Sequence, residues 1–301
     1  MDNRFKKRVM LMRYDIAIIG SGPAALSAAI NAKIRNKSII VFGSKNLSNK
    51  LVKAPVVDNY LGFSNVTGIE LMESFKKHLD NMDIEIINKK INNVYAMGDY
   101  FALMSGQEMF EATTVILGTG VEFTRAIEGE ETFLGRGVGY CATCDAPLYK
   151  GKTVAIIGHT PDAEEEANYI DEIAEKTYYI PVYDIEKTTG AGDISENIEV
   201  ISSKAVKIEG ETHVNKLVLK DREIDVDGVF ILKDSVSPGV LVPGLEIEGA
   251  HIKVNRDMST NIAGCFAAGD CTGKPYQFMK AAGEGQVAGL SAVSYLSKLD
   301  K

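Results

Sequence analysis

The residues with the most specific chemistry in this 301-residue sequence are Cys141 and Cys144, with Asp145 directly after the second cysteine. Two intervening residues let the two sulfur atoms bridge in a small ring, and a nearby helix end can stabilise one thiolate. A carboxylate beside the pair can shuttle a proton as the dithiol forms. The spacing favours a redox-active pair. The alternatives are two buried thiols or a zinc half-site completed by Cys265 and Cys271, although a zinc ribbon needs a second closely spaced pair.

A glycine-rich turn, GSGPAA at residues 20–25, carries the second motif. Gly20 allows a tight strand-to-helix turn, Gly22 lets backbone N–H groups approach a pyrophosphate, and Ala25 lets the helix pack closely on the strand. The N-terminus of the helix adds positive potential for the phosphates. The motif therefore predicts dinucleotide binding, although Phe42 is followed by glycine and serine instead of the usual ribose-binding acid. The predicted cofactor-binding residues of this turn are Gly20, Gly22, Pro23, Ala24 and Ala25.

The elements that must position these motifs are two β-α-β units. Apolar runs predict strands at residues 14–19 and 38–42, with an alanine-rich helix over 23–35 between them. A second unit begins at Lys152, with a strand ending at Gly158 and a helix over 161–175. Later elements are a strand at 265–268 and a closing helix over 281–299. We predict an α/β fold of two domains, in which residues 119–245 are inserted into a discontinuous domain of residues 1–118 and 246–301.

Composition narrows the functional classes. The net charge of −8 argues against nucleic-acid binding through a basic surface. No apolar run is long enough to span a bilayer, and the apolar part of residues 1–13 is too short for a secretory signal. Four cysteines are too few to hold a chain of this length by disulfides. We therefore expect a cytoplasmic protein without nucleic-acid or membrane partners and without a bound metal.

Four motifs in the same order resemble the low-molecular-weight thioredoxin reductase family, and the resemblance covers residues 14–301. They are GSGPAA, GRGVGYCATCD, AAGD at 267–270 and AAGEGQVAG at 281–289. The resemblance implies a two-domain, Rossmann-like, FAD/NAD(P)-binding disulfide reductase fold. In that fold the FAD domain is interrupted by a smaller domain that carries the redox disulfide. It also implies a homodimer.

The resemblance also implies roles for single residues. Asp270 would bond hydroxyl groups of FAD, and Gln277 would contact the flavin. Cys144 would face the flavin and take electrons from it, Cys141 would attack the disulfide of thioredoxin, and Asp145 would act as the general acid. The FAD site implied beyond the first turn consists of Gly269, Asp270, Gln277 and Ala282.

The second β-α turn, GHTPDA at residues 158–163, departs from the family pattern, which binds NADPH there. Thr160 puts a side chain where a glycine must let the pyrophosphate approach, and Pro161 removes a backbone N–H from the start of the helix. Asp162 and the run from Glu164 to Glu166 add negative charge beside a site meant for phosphates.

The cations that hold the 2′-phosphate of NADPH are missing too. The family carries His-Arg-Arg after the next strand, where this chain has Pro181, Val182 and Tyr183. Both nucleotide anchors are lost while the FAD and cysteine motifs remain, and this indicates a different electron donor. The pattern resembles the ferredoxin-dependent flavin thioredoxin reductases, in which a small iron–sulfur protein replaces the nicotinamide.

The sequence thus predicts an enzyme that passes electrons from reduced ferredoxin through FAD to a Cys141–Cys144 disulfide and on to thioredoxin. Two alternatives stay open: an NADPH-dependent enzyme with an atypical nucleotide site, and a flavin redox sensor that does not turn over. Ferredoxins are typically acidic, so the docking face should be basic. The candidates for that face are Arg4, Lys6, Lys7, Arg8, Lys50 and Lys53.

Overall fold

The computed structural model describes residues 12–121, 126–188, 190–233 and 238–299, with the backbone alone at Asn49, Thr143 and Cys144. The chain divides into two compact units, one of residues 1–121 and 237–301 and the other of residues 122–236. Within the described ranges, no helix is long and apolar enough to cross a membrane.

The N-terminal part of the first unit forms most of a mixed sheet. β1 pairs in parallel with β2 and β6, and β2 pairs in parallel with β3. β4, β5 and β6 form an antiparallel meander on the other side. Ile16, Ala17 and Ile18 of β1 are fully buried, as expected for a central strand. The elements, in chain order, are β1 (Arg13–Ile19), α1 (Pro23–Lys33), β2 (Ile39–Phe42), α2 (Asn49–Val52), α3 (Gly68–Asp80), β3 (Ile86–Ile87), β4 (Asn93–Ala96), β5 (Phe101–Ser105) and β6 (Glu108–Leu117).

The second unit contains a parallel sheet with strand order β10-β9-β8-β14-β7 and a three-stranded antiparallel sheet of β11, β12 and β13. α5 packs on one face of the parallel sheet, and apolar side chains of the antiparallel sheet pack on the other. Its elements are β7 (Val138–Gly139), α4 (Ala142–Asp145), β8 (Thr153–Gly158), α5 (Ala163–Asp171), β9 (Lys176–Pro181), β10 (Glu199–Val200), β11 (Ala205–Gly210), β12 (Val214–Leu219), β13 (Glu223–Asp225) and β14 (Gly228–Leu232).

The chain then returns to the first unit through α6 (Pro238–Leu241), β15 (Ile247–Glu248), β16 (His251–Ile252), β17 (Cys265–Ala267) and α7 (Phe278–Leu299). β17 joins the first sheet beside β6. α7 packs on α1 at close range, because a Cβ at Gly285 would lie 2.0 Å from the carbonyl oxygen of Ala24. Residues 238–245 belong to this unit, although the sequence suggested the inserted domain, because α6 packs beside β4 and Val240 accepts a hydrogen bond from Asn93.

Candidate active site

The first β-α turn is built around two glycines with different surroundings. Gly20 has φ +128°, and a Cβ there would lie 2.2 Å from the carbonyl oxygen of Gly118, so only glycine fits. Gly22 precedes α1, and no described atom lies within 4 Å of where its Cβ would be. Pro23 occupies the first turn, and among the described residues no side chain caps the helix. The first N–H groups of α1 therefore lack intrahelical partners, which suits a phosphate.

The turn that carries Asp270 lies against this glycine turn. A Cβ at Gly269, where φ is +92°, would lie 2.9 Å from the Cβ of Ala24. The structure therefore brings together the two motifs assigned to FAD. Two side chains of α7 fix the Asp270 turn. Lys280 donates to the carbonyl oxygens of Gly269 and Gly273, both at 2.8 Å, and pairs with Glu284 at 3.0 Å. Glu284 in turn accepts the N–H of Gly269 at 2.9 Å.

Other polar side chains of the first unit complete this region. Lys50 lies 3.4 Å from the Asp270 carboxylate and donates to the carbonyl oxygen of Val121 at 2.7 Å. Gln277 is exposed, and its Oε1 accepts a hydrogen bond from Asn59 at 2.8 Å. Ala282 lies partly buried in the second turn of α7, which begins at Phe278 and not at residue 281 as predicted.

These observations test whether the residues fit FAD. An uncapped helix N-terminus, an open approach at Gly22 and a partly buried carboxylate at Asp270 supply what a pyrophosphate and a polyol need. The residues fit the cofactor. Sequence analysis missed Asn59, Lys280 and Glu284 as parts of this region. Only the last two had a local signal, the i,i+4 spacing of a lysine and a glutamate on one helix.

In the second unit, Cys141 lies between β7 and α4, is disulfide-bonded and is only 7% exposed. Cys265 and Cys271, in the first unit, are buried free thiols. Burial raises the pKa of Cys265 to about 12 and that of Cys271 to about 11, which keeps both thiols protonated and unreactive. The described residues contain no cluster of side chains that could hold a metal ion. The disulfide at Cys141 favours the redox-active pair over the zinc half-site.

Two carboxylates adjoin the disulfide segment. Glu166 of α5 accepts the N–H of Ala142 at 2.8 Å, which attaches the first residue of α4 to α5. Asp145 is partly buried, and burial raises the pKa of its carboxyl. Its Oδ2 would lie 3.0 Å from a Cβ at Gly139, so a larger residue there would crowd the acid. A raised pKa favours the protonated form, which a proton donor requires.

A buried polar cluster holds the residue before Cys141. Glu130 is 2% exposed and accepts hydrogen bonds from Lys233 at 2.7 Å, Tyr140 at 3.0 Å and the N–H of Ile127 at 2.9 Å. Burial and the Glu130 charge raise the pKa of the Tyr140 hydroxyl, so it remains a donor. The cluster fixes the tyrosine ring and with it the backbone that leads to Cys141. No sequence motif pointed to it, because Glu130 and Lys233 lie far apart in the chain.

Protein side chains pack closely around the second β-α turn, which lies between β8 and α5. The phenol of Tyr179 lies against Gly158, where a Cβ would be 2.1 Å from Tyr179 Oη. The turn also carries the side chain of Thr160 and the ring of Pro161. Thr160 stands at the position that corresponds to Gly22, so the second turn carries a side chain where the first turn has none. This agrees with the loss of the nucleotide motif in the sequence.

Comparison with known proteins identifies the class. A family profile described as pyridine nucleotide-disulphide oxidoreductase matches residues 14–285. A thioredoxin reductase of Treponema pallidum is 32% identical over 303 residues, covering 95% of this chain and 98% of the relative. A crystal structure of a ferredoxin-flavin thioredoxin reductase from Clostridium acetobutylicum has 59% sequence identity and a TM-score of 0.90, covering 95% of this chain and 99% of that one.

The chain therefore belongs to the pyridine nucleotide-disulphide oxidoreductase family, and within it to the thioredoxin reductases. The predicted fold class and the predicted family are confirmed. The cofactor of this class is FAD, as the sequence motifs also indicated.

Proposed function

We propose that the protein is a flavin-dependent thioredoxin reductase that passes electrons from reduced ferredoxin through FAD to a Cys141–Cys144 disulfide and on to thioredoxin. The observation that carries the proposal is the contrast between the two β-α turns. The first turn is open at Gly22, whereas the second turn carries the side chain of Thr160 at the corresponding position and the ring of Pro161 after it. The similarity to the Clostridium acetobutylicum ferredoxin-flavin enzyme supports the same donor.

In this proposal the first unit is the FAD domain. The N-terminus of α1 beside Gly22 holds the pyrophosphate, and Asp270 accepts hydrogen bonds from hydroxyl groups of the cofactor. Lys280 and Glu284 keep the Asp270 turn in place. When bound, FAD couples one-electron donation by ferredoxin to two-electron reduction of a disulfide.

The cysteines then act in sequence. The sulfur–sulfur bond breaks as Cys144 receives the electron pair, Cys141 leaves as a thiolate, and Asp145 donates a proton to the sulfur of Cys144. The thiolate of Cys141 attacks the disulfide of thioredoxin and forms a mixed disulfide. Cys144 resolves it, so reduced thioredoxin leaves with two electrons and the Cys141–Cys144 bond forms again. The polar cluster around Glu130 positions the segment in which Cys141 must act.

The docking face for ferredoxin is proposed to be basic. Lys53 is exposed and available for this face, whereas Lys50 is already paired with Asp270. The other four candidates, Arg4, Lys6, Lys7 and Arg8, lie outside the described residues. We also propose the homodimer that the family resemblance implies and the cytoplasmic location expected from the sequence. Light scattering coupled to size-exclusion chromatography measures the mass in solution. A dimer should have twice the monomer mass of 32.7 kDa.

The deciding experiment compares electron donors under anaerobic conditions. Reduced ferredoxin should bleach the flavin and sustain thioredoxin reduction, and NADPH should do neither. Rapid bleaching by NADPH alone would instead identify an NADPH-dependent enzyme. A single stoichiometric reduction of thioredoxin with ferredoxin would identify a sensor that does not turn over.

A cysteine variant tests the order of transfer. Cys144→Ser should bind FAD normally but pass no electrons to thioredoxin, because no disulfide can form at Cys141. Cys265→Ala is the matched control, since this cysteine is a buried free thiol and its loss should leave turnover in place. Thioredoxin reduction by the Cys144→Ser protein would contradict the relay.

A further inference from the structure

Glu164, in the first turn of α5, is a buried carboxylate that the proposed reaction does not use. It is 2% exposed. Its Oε1 accepts the hydroxyl of Tyr183 at 2.5 Å, and its Oε2 accepts the N–H groups of Gly192 and Asp193, both at 2.9 Å. A buried carboxylate persists only when hydrogen bonds or charges replace its water. Here all three hydrogen-bond donors belong to residues of the second unit.

The hydroxyl of Tyr183 extends this contact to Gly158. Tyr183 gives its only proton to Glu164, so in the 2.8 Å contact between the two tyrosine hydroxyls Tyr179 is the donor. Tyr179 is fully buried, and its hydroxyl lies against Gly158. A continuous chain of side chains therefore runs from the end of β8 to the first turn of α5. In open α/β sheets, ligands bind in the crevice outside these strand ends.

The same helix face holds a segment without regular secondary structure, residues 192–195, which we name the strap. Asn168 donates to the carbonyl oxygen of Asp193 and accepts the N–H of Ser195, both at 2.8 Å. Asp171 accepts the hydroxyl of Ser195 at 3.3 Å. Glu164, Asn168 and Asp171 are spaced i, i+4 and i+7, so they lie on one face of α5. The strap is thus bound to α5 along its length, with Glu164 at one end.

We propose that Tyr179, Tyr183 and Glu164 are specificity-determining residues that exclude pyridine nucleotides by filling the crevice from within. The carboxylate of Glu164 takes two consecutive backbone N–H groups, the kind of donor pair that binds a phosphate elsewhere. Tyr183 stands at one of the positions where the family pattern has a phosphate-binding cation. The inference rests on the proposed ferredoxin dependence, because it assigns the residues that make a nucleotide donor ineffective.

The test measures binding of ADP-ribose, a probe that carries adenosine and pyrophosphate without redox chemistry, to the FAD-loaded protein by calorimetry. The unplugged protein carries Glu164→Ala and Tyr183→Ala. Glu165→Ala is the matched control, because Glu165 is exposed on the same turn and its loss removes the same charge. The unplugged protein should bind ADP-ribose at least about tenfold more tightly than the wild type and the control. Equal affinity in a folded, FAD-loaded double variant overturns the inference.

A second measurement applies if the double variant does not fold. Glu164→Gln removes the charge and places an N–H₂ group against the donors of the strap, with little change of volume. Lys187 precedes the strap and its side chain is 82% exposed, so trypsin cleavage there reports opening of this segment. Cleavage should be about tenfold faster in Glu164→Gln than in the wild type or Glu165→Gln. Equal cleavage rates contradict the role assigned to Glu164.

The outcomes separate the two proposals. Bleaching of the wild-type flavin by NADPH defeats the proposed function, whatever the variants do. A wild type that does not respond to NADPH, together with an unplugged protein that binds no ADP-ribose, leaves ferredoxin dependence standing. That second result overturns only the assignment of Tyr179, Tyr183 and Glu164.

Discussion

The two glycines of the first β-α turn should respond in opposite ways to alanine. Gly22 has φ −86° and ψ 176°, which alanine adopts freely, and no atom of the described residues lies within 4 Å of its Cβ position. Gly22→Ala should therefore change the free energy of unfolding of the apoprotein by no more than about 0.5 kcal/mol. The new methyl group would enter the space proposed for the pyrophosphate. Crowding of this kind costs about 1–3 kcal/mol, so the Kd for FAD should rise about 5- to 150-fold.

Gly20→Ala should have the opposite pattern. Its φ of +128° is strained for any residue with a Cβ, and that Cβ would lie 2.2 Å from a backbone oxygen that cannot move without separating β1 from β6. The two costs together should lower the free energy of unfolding of the apoprotein by about 3 kcal/mol. Loss of FAD binding then follows from loss of the fold.

Both effects can be measured on protein stripped of FAD. Urea denaturation followed by circular dichroism gives the free energy of unfolding, and quenching of flavin fluorescence during titration gives the Kd. A wild-type Kd for FAD in Gly22→Ala would show that the N-terminus of α1 does not hold the pyrophosphate. Wild-type stability of Gly20→Ala would show that the turn tolerates a Cβ at this position.

Two further variants test the Asp270 turn and the proposed acid. Lys280→Met should lower the free energy of unfolding by about 2 kcal/mol and weaken FAD binding, because it removes charge-assisted hydrogen bonds from the turn. Lys274→Met, on the exposed side of the same loop, should do neither. Burial raises the pKa of Asp145, so its stabilising contribution is complete below the unfolded-state pKa and is lost as pH rises through the folded-state pKa. The free energy of unfolding of the wild type should therefore fall, relative to that of Asp145→Asn, as pH rises from the unfolded-state pKa through the folded-state pKa. Parallel pH profiles of the two proteins in urea denaturation would contradict the burial of this acid.

Local patterns predicted the elements that carry the motifs. The apolar runs of β1 and β8 and the turns that follow them were visible in the sequence because a buried parallel strand needs a continuous apolar stretch. The ends of helices were predicted less accurately. α5 stops at Asp171 and not at residue 175, because the chain turns there and Ile173 and Ala174 bond back to Ile170. α6 was not predicted, since a helix of four residues shows no periodicity.

The contacts that complete the candidate site were mostly hidden from the sequence. Lys50 and Asp270 are 220 positions apart, and Lys233 lies 103 positions from Glu130. Such pairs leave no periodic signal, because only the folded chain brings them together. Motifs therefore predicted the residues expected to touch FAD or thioredoxin, but not the side chains that hold them in place.

The residues that depart from the family pattern in the second unit fit one another. If the nucleotide site had decayed by drift, Glu164 could have been left buried without hydrogen-bond donors. Such a carboxylate would lower the free energy of unfolding by several kcal/mol. Instead each of its oxygens has a donor, and Tyr183 both supplies one of them and accepts from Tyr179. These side chains therefore satisfy one another's hydrogen-bonding groups. The Rossmann-like unit then remains a scaffold for the disulfide, in keeping with the proposed electron donor, which does not need the crevice.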